Sequence, residues 1–497
     1  MTDTQNSSVI SACLRPGALS CALARRLYPA ILAVLLAGGC ALRVPPVAEA
    51  PSPAADCAAL FQEADTAIAR AGARDHGPVV IEGFPWLRAN RFLASFAPDP
   101  AQMESFEAWV GRLGQLDSSA RQLELRNHGA GVAGVESGKL ESHLERCRSL
   151  LQENLLLDPK LRAQLLMAVH VPDDYVTTWR VAGLYPLTAP FVSLGVNRWH
   201  AETGKIFDTP LDELPVAGDL QRWRIAYPEA HTGYTPRHDA LGIPVLGDDA
   251  LHALFRRHAP IWEVDVVDHN DRIGTPVFRQ AAEVSTHSGT QYHYLSYTRF
   301  GERILLQLNY VIWFPARSGK DIYAGNIDGI TWRVTLGPGG EPWLYDSIHN
   351  CGCYHMYFPT EHLQLREDLP SLGFEPPLVP QRAPQPPLVV RIDSGRHYIQ
   401  RVYRDTGSGA GAAPTDLAEA DYDQLRSLPT PTGHRSFFGP LGLVPGSERG
   451  ERFLLWPMGV RSPGAMRQRG HHPVAFVGRR HFDDARLIEN LFQRRVK

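Results

Sequence analysis

The sequence predicts an α+β protein in which an N-terminal helical domain precedes an antiparallel β-sheet body with short helices. Three observations carry that prediction. Apolar residues recur at helical spacing through the first third of the chain. Runs rich in Tyr, Leu, Ile, Val and Trp, broken by tight turns, fill the stretch from Ser285 to Pro359. Finally, 43 Gly and 40 Pro among 497 residues supply many turns to a chain that is 44% hydrophobic and 21% charged. At about 150 residues per domain the length suggests two or three domains. The formal charge of -3 gives no basic excess, so nucleic acid is not an expected partner.

At the N-terminus, Arg25 and Arg26 precede an apolar core, Tyr28 to Ala37, followed by Gly38, Gly39 and Cys40. That core is too short to span a bilayer and has the order of an export signal. Ala37-Gly38-Gly39-Cys40 resembles the lipobox of bacterial lipoproteins, a resemblance confined to about the first 41 residues. It implies lipidation of the Cys40 sulfur, cleavage before Cys40 and an acylated new amino terminus. The protein is then a periplasm-facing one, anchored in the cell envelope of a bacterium and in contact with the membrane through its lipid. Ala41, where Asp would retain a lipoprotein elsewhere, resembles the outer-membrane class. An ordinary cleaved signal with a coincidental Cys40 is the alternative.

On the lipoprotein reading residues 1–39 are the signal peptide. They carry one Asp and three Arg, a net of +2, which leaves -5 on the mature chain. Each buried CH₂ of the acyl chains contributes ~0.8 kcal/mol of anchoring. Residues 40–56, rich in Pro and Ala, form an extended spacer.

A helical domain is expected over residues 57–170. Asp56 is placed to cap a helix whose Leu60, Phe61, Ala64 and Ile68 share a face and which ends near Gly72. Met103, Phe106, Trp109, Val110, Leu113 and Leu116 repeat at helical spacing, as do Leu140, Leu144, Cys147 and Leu151. Asp158-Pro159 opens a fourth helix through Leu165 and Leu166. Once Cys13 and Cys21 leave with the signal and Cys40 carries lipid, Cys57, Cys147, Cys351 and Cys353 remain. A Cys57–Cys147 disulfide is favoured, because both lie in helices of one domain; closing a loop of about 90 residues stabilises by ~4 kcal/mol in the chain-entropy model. Two buried free thiols are the alternative.

Residues 171–374 combine a mixed segment with the aromatic sheet. Trp179 to Pro186 and Val196 to His200 bring aromatic and cationic residues together, as at the edge of a groove or in ordinary stacking contacts. Ile261 to Val267 reads as a strand, and the acidic turn Asp268 to Asp271 as solvated, since Arg272 stands where a calcium loop needs a ligand. Gln291 to Thr298 and Arg303 to Phe314 form a hairpin. In its second run Ile304, Leu306, Leu308, Tyr310 and Ile312 share the core face, with Gln307 and Asn309 on the other. Ile330 to Leu336 and Trp343 to Ser347 complete a meander of four or five strands.

The most unusual chemistry lies at the end of that meander, where His349, Cys351, Cys353 and His355 alternate with Asn350, Gly352 and Tyr354. On a straight strand all four point one way, yet the two histidines then lie ~20 Å apart. A zinc or iron site therefore needs a bend at Gly352 or donors from elsewhere, and His287 and His293 are the natural ones. Asp328 and Asp346 are candidates to orient ligands or act as general bases. A second scheme makes Cys351 or Cys353 a nucleophile with His355, His349 or His293 as base. Against both stand two structural readings, a Cys351–Cys353 bridge or buried free thiols beside satisfied histidines. The zincin, nucleophile-elbow and phosphate-loop signatures do not occur, and the Gly407 to Gly411 run reads as a flexible loop.

Prolines from Pro376 to Pro387 stiffen a connector into a C-terminal β/α region, residues 388–497. There Leu388 to Ile392 and His397 to Tyr403 read as paired strands, Thr415 to Leu425 as a helix and Arg452 to Pro457 as a strand. Asp483 to Phe492 reads as a closing helix capped by Asp483. Arg467, Arg469, His471, His472, Arg479 and Arg480 form a basic patch suited to an anionic partner such as lipopolysaccharide phosphate or cell-wall carboxylate. The same patch is otherwise a solvated surface with Asp483, Asp484 and Glu489 as partners.

Two functions follow. One is a non-catalytic, lipid-anchored envelope protein that holds a glycan or protein partner through the aromatic sheet and basic patch. The other is a lipid-anchored hydrolase, using a metal or a cysteine nucleophile, that gathers His287, His293, His349, Cys351, Cys353 and His355 in one concave site.

Overall fold

Helical periodicity builds the first layer. The computed structural model describes residues 52–96, 102–132, 134–226, 233–407 and 414–495; Cys40, the signal and residues 408–411 of the Gly-rich run lie outside them. The four expected helices are α1 (Pro53–Arg70), α2 (Met103–His128), α3 (Ser137–Leu157) and α4 (Pro159–Ala168). Because α1 starts at Pro53, Asp56 lies in its first turn rather than at its cap. Asp158 does cap α4, accepting from the Lys160 amide at 2.8 Å. Phe61, Ala64, Ile68, Phe106, Trp109, Leu113, Leu140, Leu144 and Leu151 bury the shared faces, and a Cys57–Cys147 disulfide ties α1 to α3.

A short hairpin, Val79–Ile81 with Phe84–Ala89, packs on α2 with no counterpart in the sequence reading. Its Arg88 is buried and meets Asp117 at 3.0 Å and Glu124 at 3.0 and 2.6 Å. Ionised groups persist in an interior only when matched in this way.

Two sheets form the body. Their strands are β1 (Asp219–Arg224), β2 (Ile261–Val266), β3 (Thr290–Phe300), β4 (Arg303–Arg317), β5 (Gly325–Leu336), β6 (Pro342–His349), β7 (Met356–Pro359), β8 (Leu388–Ile392), β9 (Ile399–Arg404), β10 (Thr415–Asp416) and β11 (Ala418–Asp421). The first sheet runs β7-β6-β5-β4-β3-β11, the second β9-β8-β2-β1-β10. The predicted meander from β3 to β7 is antiparallel throughout, while β11 joins β3, β8 joins β2 and β10 joins β1 in parallel. The fold is α+β.

Leu306, Leu308, Tyr310 and Ile312 of β4 face the second sheet and share a core with Trp332, Val334, Trp262, Val264 and Val390. Gln307 and Asn309 point to the opposite face and are buried as well. Gln307 bridges Ser296 and Thr335, each at 3.1 Å, and Asn309 reaches Ser296 at 2.9 Å. In the mixed segment a long helix, α5 (Tyr185–Asp208), and a shorter one, α6 (Asp248–His258), cover the sheets.

Three C-terminal expectations are corrected. Thr415 to Leu425 is not a helix: β10 and β11 occupy its start because sheet edges at β1 and β3 offer backbone partners, and one 3₁₀ turn, Tyr422–Arg426, follows. Arg452 to Pro457 is a helical turn, Arg452–Leu455, running into Trp456–Met458. The closing helix spans only Leu487–Leu491, since Phe492–Arg494 pairs as a strand with Leu363–Leu365 and Asp483 lies before the helix rather than at its cap. The Pro-rich connector lies along β7 through Tyr357 N to Leu378 O at 2.9 Å and Ala383 N to Pro359 O at 3.1 Å. Pro53–Lys497 makes one compact unit.

Candidate functional site

β6 ends at His349 and β7 begins at Met356, so the His/Cys run is a turn rather than a strand. Gly352 makes it possible, with φ at 93° and Pro473 O only 2.5 Å from where a Cβ would stand. His349 N donates to Cys353 O at 3.0 Å and Gly352 N to His349 O at 2.7 Å. The bend that a shared metal requires is present, but it sends the two histidines to opposite faces of the sheet. His349 enters the inter-sheet space beside Asp328, while His355 pairs with Asp346 on the face toward α2.

This geometry overturns the predicted metal centre. His287 is exposed in the turn before β3, and His293 packs 4.6 Å from the Phe255 ring, 3.8 Å from Glu419. Among the described residues no group of three or more His, Cys, Asp or Glu is placed to hold a metal ion, so His287, His293, His349, Cys351, Cys353 and His355 form no zinc or iron site. Cys351 and Cys353 are free rather than bridged to each other. Hydrogen bonding to Cys351 and burial push the Cys353 thiol well above its usual range, which starves it of the thiolate a nucleophile needs.

On the His355 side the polar groups close on one another. Arg333 holds Asp346 through Nε at 2.9 Å and Nη2 at 2.6 Å; Asp346 lies 2.8 Å from His355 Nε2, and His355 Nδ1 3.0 Å from the Tyr357 hydroxyl. Burial, opposed by Asp346, brings the His355 imidazole down to about 4. Both its nitrogens are occupied, and Asp346 is an ion-pair partner rather than a free base.

On the His349 side they do not close. His397 Nδ1 lies 2.8 Å from Asp328 Oδ2 and its Nε2 3.3 Å from Asp271 Oδ1, with the ring stacked on Phe314 at 4.0 Å. Burial pulls His397 down, but hydrogen bonds to Asp271 and Asp328 outweigh it and raise the imidazole to about 9. Asp271, the turn residue expected to be solvated, is buried and accepts from Val267 N at 2.9 Å and Gly395 N at 2.7 Å. Its carboxyl sits near 2 because those bonds and His397 overcome burial. Asp328 is thus a fixed carboxylate, held well below its usual range against burial by His349 and His397. It lies 3.6 Å from His349 Nδ1. Burial keeps His349 lowered and neutral at neutral pH, and its Nε2 is buried with no hydrogen-bond partner among the described residues.

Aromatic rings lie against that imidazole. Tyr354 and Tyr398 meet the His349 ring edge-on at 5.0 and 5.7 Å. Arg317 lies over the Tyr323, Tyr354 and Tyr398 rings at 5.6, 5.4 and 5.0 Å and donates to the Tyr398 hydroxyl at 3.0 Å. Burial, opposed by Arg317, raises Glu451 to about 7. Tyr398 also walls a cleft of about 310 Å³ with Trp199, Glu202, Asp393 and Arg396, and Trp199 touches Tyr354 at 5.3 Å. Ile327, Tyr354 and His397 all have φ near +60°, half of the non-glycine residues in that region among those described. Backbone strain of this kind costs about 1–3 kcal/mol per residue and gathers at functional sites.

The predicted basic patch is dispersed. Arg467 and His472 are buried, Arg467 donating to Cys351 O at 3.0 Å and His472 lying 3.2 Å from Asn350 O. Arg479 pairs with Asp173, Arg480 donates to Glu375 O at 2.6 Å, and His471 lies 2.8 Å from Asp174. Arg469 lines a cleft of about 320 Å³ between α2 and the sheet, which it shares with Tyr294, Ser296, Gln307 and Arg333.

Asp271, Arg317, His397, Tyr398 and Glu451 were not singled out as site residues from the sequence. They lie in separate segments from the His/Cys run, and no motif spacing links them. Compared with family profiles, curated proteins and solved structures, the chain matches none.

Proposed function

We propose that this chain is a lipid-anchored hydrolase of the bacterial cell envelope, with Cys40 as its anchor and His349 as its general base. The observation that carries the catalytic half is the orientation of His349, whose Nδ1 faces a fixed carboxylate while its buried Nε2 has no hydrogen-bond partner among the described residues. Asp328 selects the tautomer with the proton on Nδ1, so Nε2 presents its lone pair. When Nε2 takes a proton from water or a substrate hydroxyl, Asp328 stabilises the imidazolium that forms. Arg317, over the Tyr354 and Tyr398 rings that meet His349, supplies positive charge for a developing oxyanion, and the His349 imidazolium returns its proton to the leaving group. Tyr398 stands between His349 and the cleft and governs access. The envelope half is supported by the lipobox residues and by the Cys57–Cys147 bond, which suits an oxidising compartment.

The test is turnover of envelope substrates, namely sacculi, glycolipids and activated acyl esters and glycosides, by purified protein and by His349→Gln. One class is expected to be hydrolysed, with a rate loss of about 10²–10⁴ in the variant at unchanged fold. Equal turnover by His349→Gln would sink the assignment. A second reading, a binding lipoprotein for a glycan or protein partner, draws on the inter-layer cleft, whose Tyr294, Ser296, Gln307 and Arg469 suit a polar ligand. Glycan binding lost in Tyr294→Ala, with no turnover of any substrate class, would favour it.

A further inference from the structure

Helix α5 is apolar on two sides. Its inner side packs Ala189 on Met458 and Val477, and Phe207 on the inter-sheet core. On the outer side Leu187, Phe191 and Leu194 follow one another at i, i+4 and i+7 and stand in the open, Phe191 with 75% of its surface exposed. Val181 from the preceding short helix, Thr177–Ala182, and Phe453 and Leu454 from the turn Arg452–Leu455 are exposed as well.

These segments are fixed to one another. Arg180 Nε donates to Met458 O at 2.8 Å, Val176 N to Gly459 O at 2.8 Å, and a Cβ on Gly183 would stand 2.4 Å from the Pro457 side chain. Cations predominate nearby. Residues 176–201 and 452–464 contain Arg180, Arg198, Arg452 and Arg461 and no Asp or Glu; Glu202, just beyond, pairs with Arg198 at 2.9 Å. Exposed apolar area on this scale marks an interaction surface.

We propose that this face rests in the headgroup region of an anionic lipid bilayer. Leu and Phe on the outer side of a helix, with Arg452 and Arg461 in the adjoining turn and loop, match an interfacial helix attracted to anionic lipid. A second copy is a poor occupant, since self-complementary pairing about a two-fold axis would bring like charges together. Among the described residues no helix is long and apolar enough to cross a membrane, so α5 lies along the surface. The inference rests on the envelope assignment for the presence of a bilayer, not on lipidation of Cys40. Trp199 and Ile206 of the same helix wall the cleft beside Tyr398, so seating α5 on lipid sets that cleft beside the headgroups, where a lipid-linked substrate would be met.

The experiment uses the compact unit Pro53–Lys497 with its disulfide intact and without Cys40, sedimented with vesicles. Binding to phosphatidylglycerol–phosphatidylethanolamine vesicles is expected to exceed binding to pure phosphatidylcholine by at least about tenfold, and to fall at least about tenfold in Phe191→Glu and, separately, in Phe453→Glu at unchanged melting temperature. The proposal is overturned if the wild-type unit stays in solution with both vesicle types, if the variants bind equally, or if light scattering finds a dimer that Phe191→Glu dissociates. Palmitate incorporation by the full chain, against Cys40→Ala, reports the anchor separately. Labelled protein whose body ignores vesicles rejects this surface and keeps the anchor; unlabelled protein whose body binds does the reverse.

Discussion

Arg426 clasps Asp75 across 351 residues of chain, Nε to Oδ1 at 3.0 Å and Nη2 to Oδ2 at 2.6 Å. Gln468 adds a bond to Asp75 Oδ1 at 2.7 Å, and the Asp75 amide donates to Glu124 at 2.9 Å. The helical layer, the 3₁₀ turn after β11 and the C-terminal loops therefore converge on one buried carboxylate.

Removing that carboxylate leaves the buried Arg426 guanidinium with Asp423 alone, 2.9 Å from its Nη1. Asp75→Ala is expected to destabilise by about 3–5 kcal/mol, read as a lower urea midpoint at unchanged slope. A midpoint close to the wild type would show that the clasp is dispensable.

The Cys57–Cys147 bond closes the longest covalent loop among the described residues, with a sequence separation of 90. Its loss in Cys57→Ala should cost about 4–5 kcal/mol and lower the melting temperature by several degrees. Oxidised and reduced protein melting together would contradict this.

Stability should peak near neutral pH, because buried histidines pull in opposite directions. His397 and His481 are each raised to about 9, by carboxylates that outweigh burial, from an ordinary value of 6.5. Their contribution is full below 6.5 and is lost as pH climbs through 9. His258 and His355 are lowered to about 4 and His472 to about 3, chiefly by burial, so theirs is full above 6.5 and is lost as pH falls through 4 to 3. Melting temperature against pH is expected to be a dome whose alkaline limb flattens in His397→Gln. A limb of unchanged slope in that variant would remove His397 as its cause.

His349 and His355 should separate function from stability. His355→Asn breaks contacts to Asp346 and Tyr357 and is expected to cost about 2–4 kcal/mol. His349→Gln leaves no Nε2 partner stranded and should cost about 1 kcal/mol or less. The reverse order in chemical denaturation would mean that His349 is the structural histidine.

What the sequence revealed was local. The helices and the meander declare themselves in periods of 3.6 and 2, and the faces of β4 fell as alternation requires, Leu308 inward and Gln307 away. His349 and Asp328 were singled out by residue type. The Asp271–His397 pair was not, because partners 126 positions apart leave no mark on spacing, and an acidic turn looks the same whether it meets water or a buried imidazole. Thr415 to Asp421 went wrong because vacant edges of β1 and β3 overrode a weak helical preference. The basic run misled because proximity in sequence was taken for a common surface, whereas Arg467 turns inward to Cys351 and Arg479 outward to Asp173.

β11 closes the edge of β3 by parallel pairing from 128 residues downstream, and Arg426 follows a few residues later. A ribosome must deliver nearly the whole polypeptide before either contact forms, and contacts this distant fold slowly. The growing chain therefore stays open until late, and it becomes resistant to proteases only after its final sixth has arrived. A nonsense mutation near residue 415 would yield no smaller working version of the protein, only material for degradation.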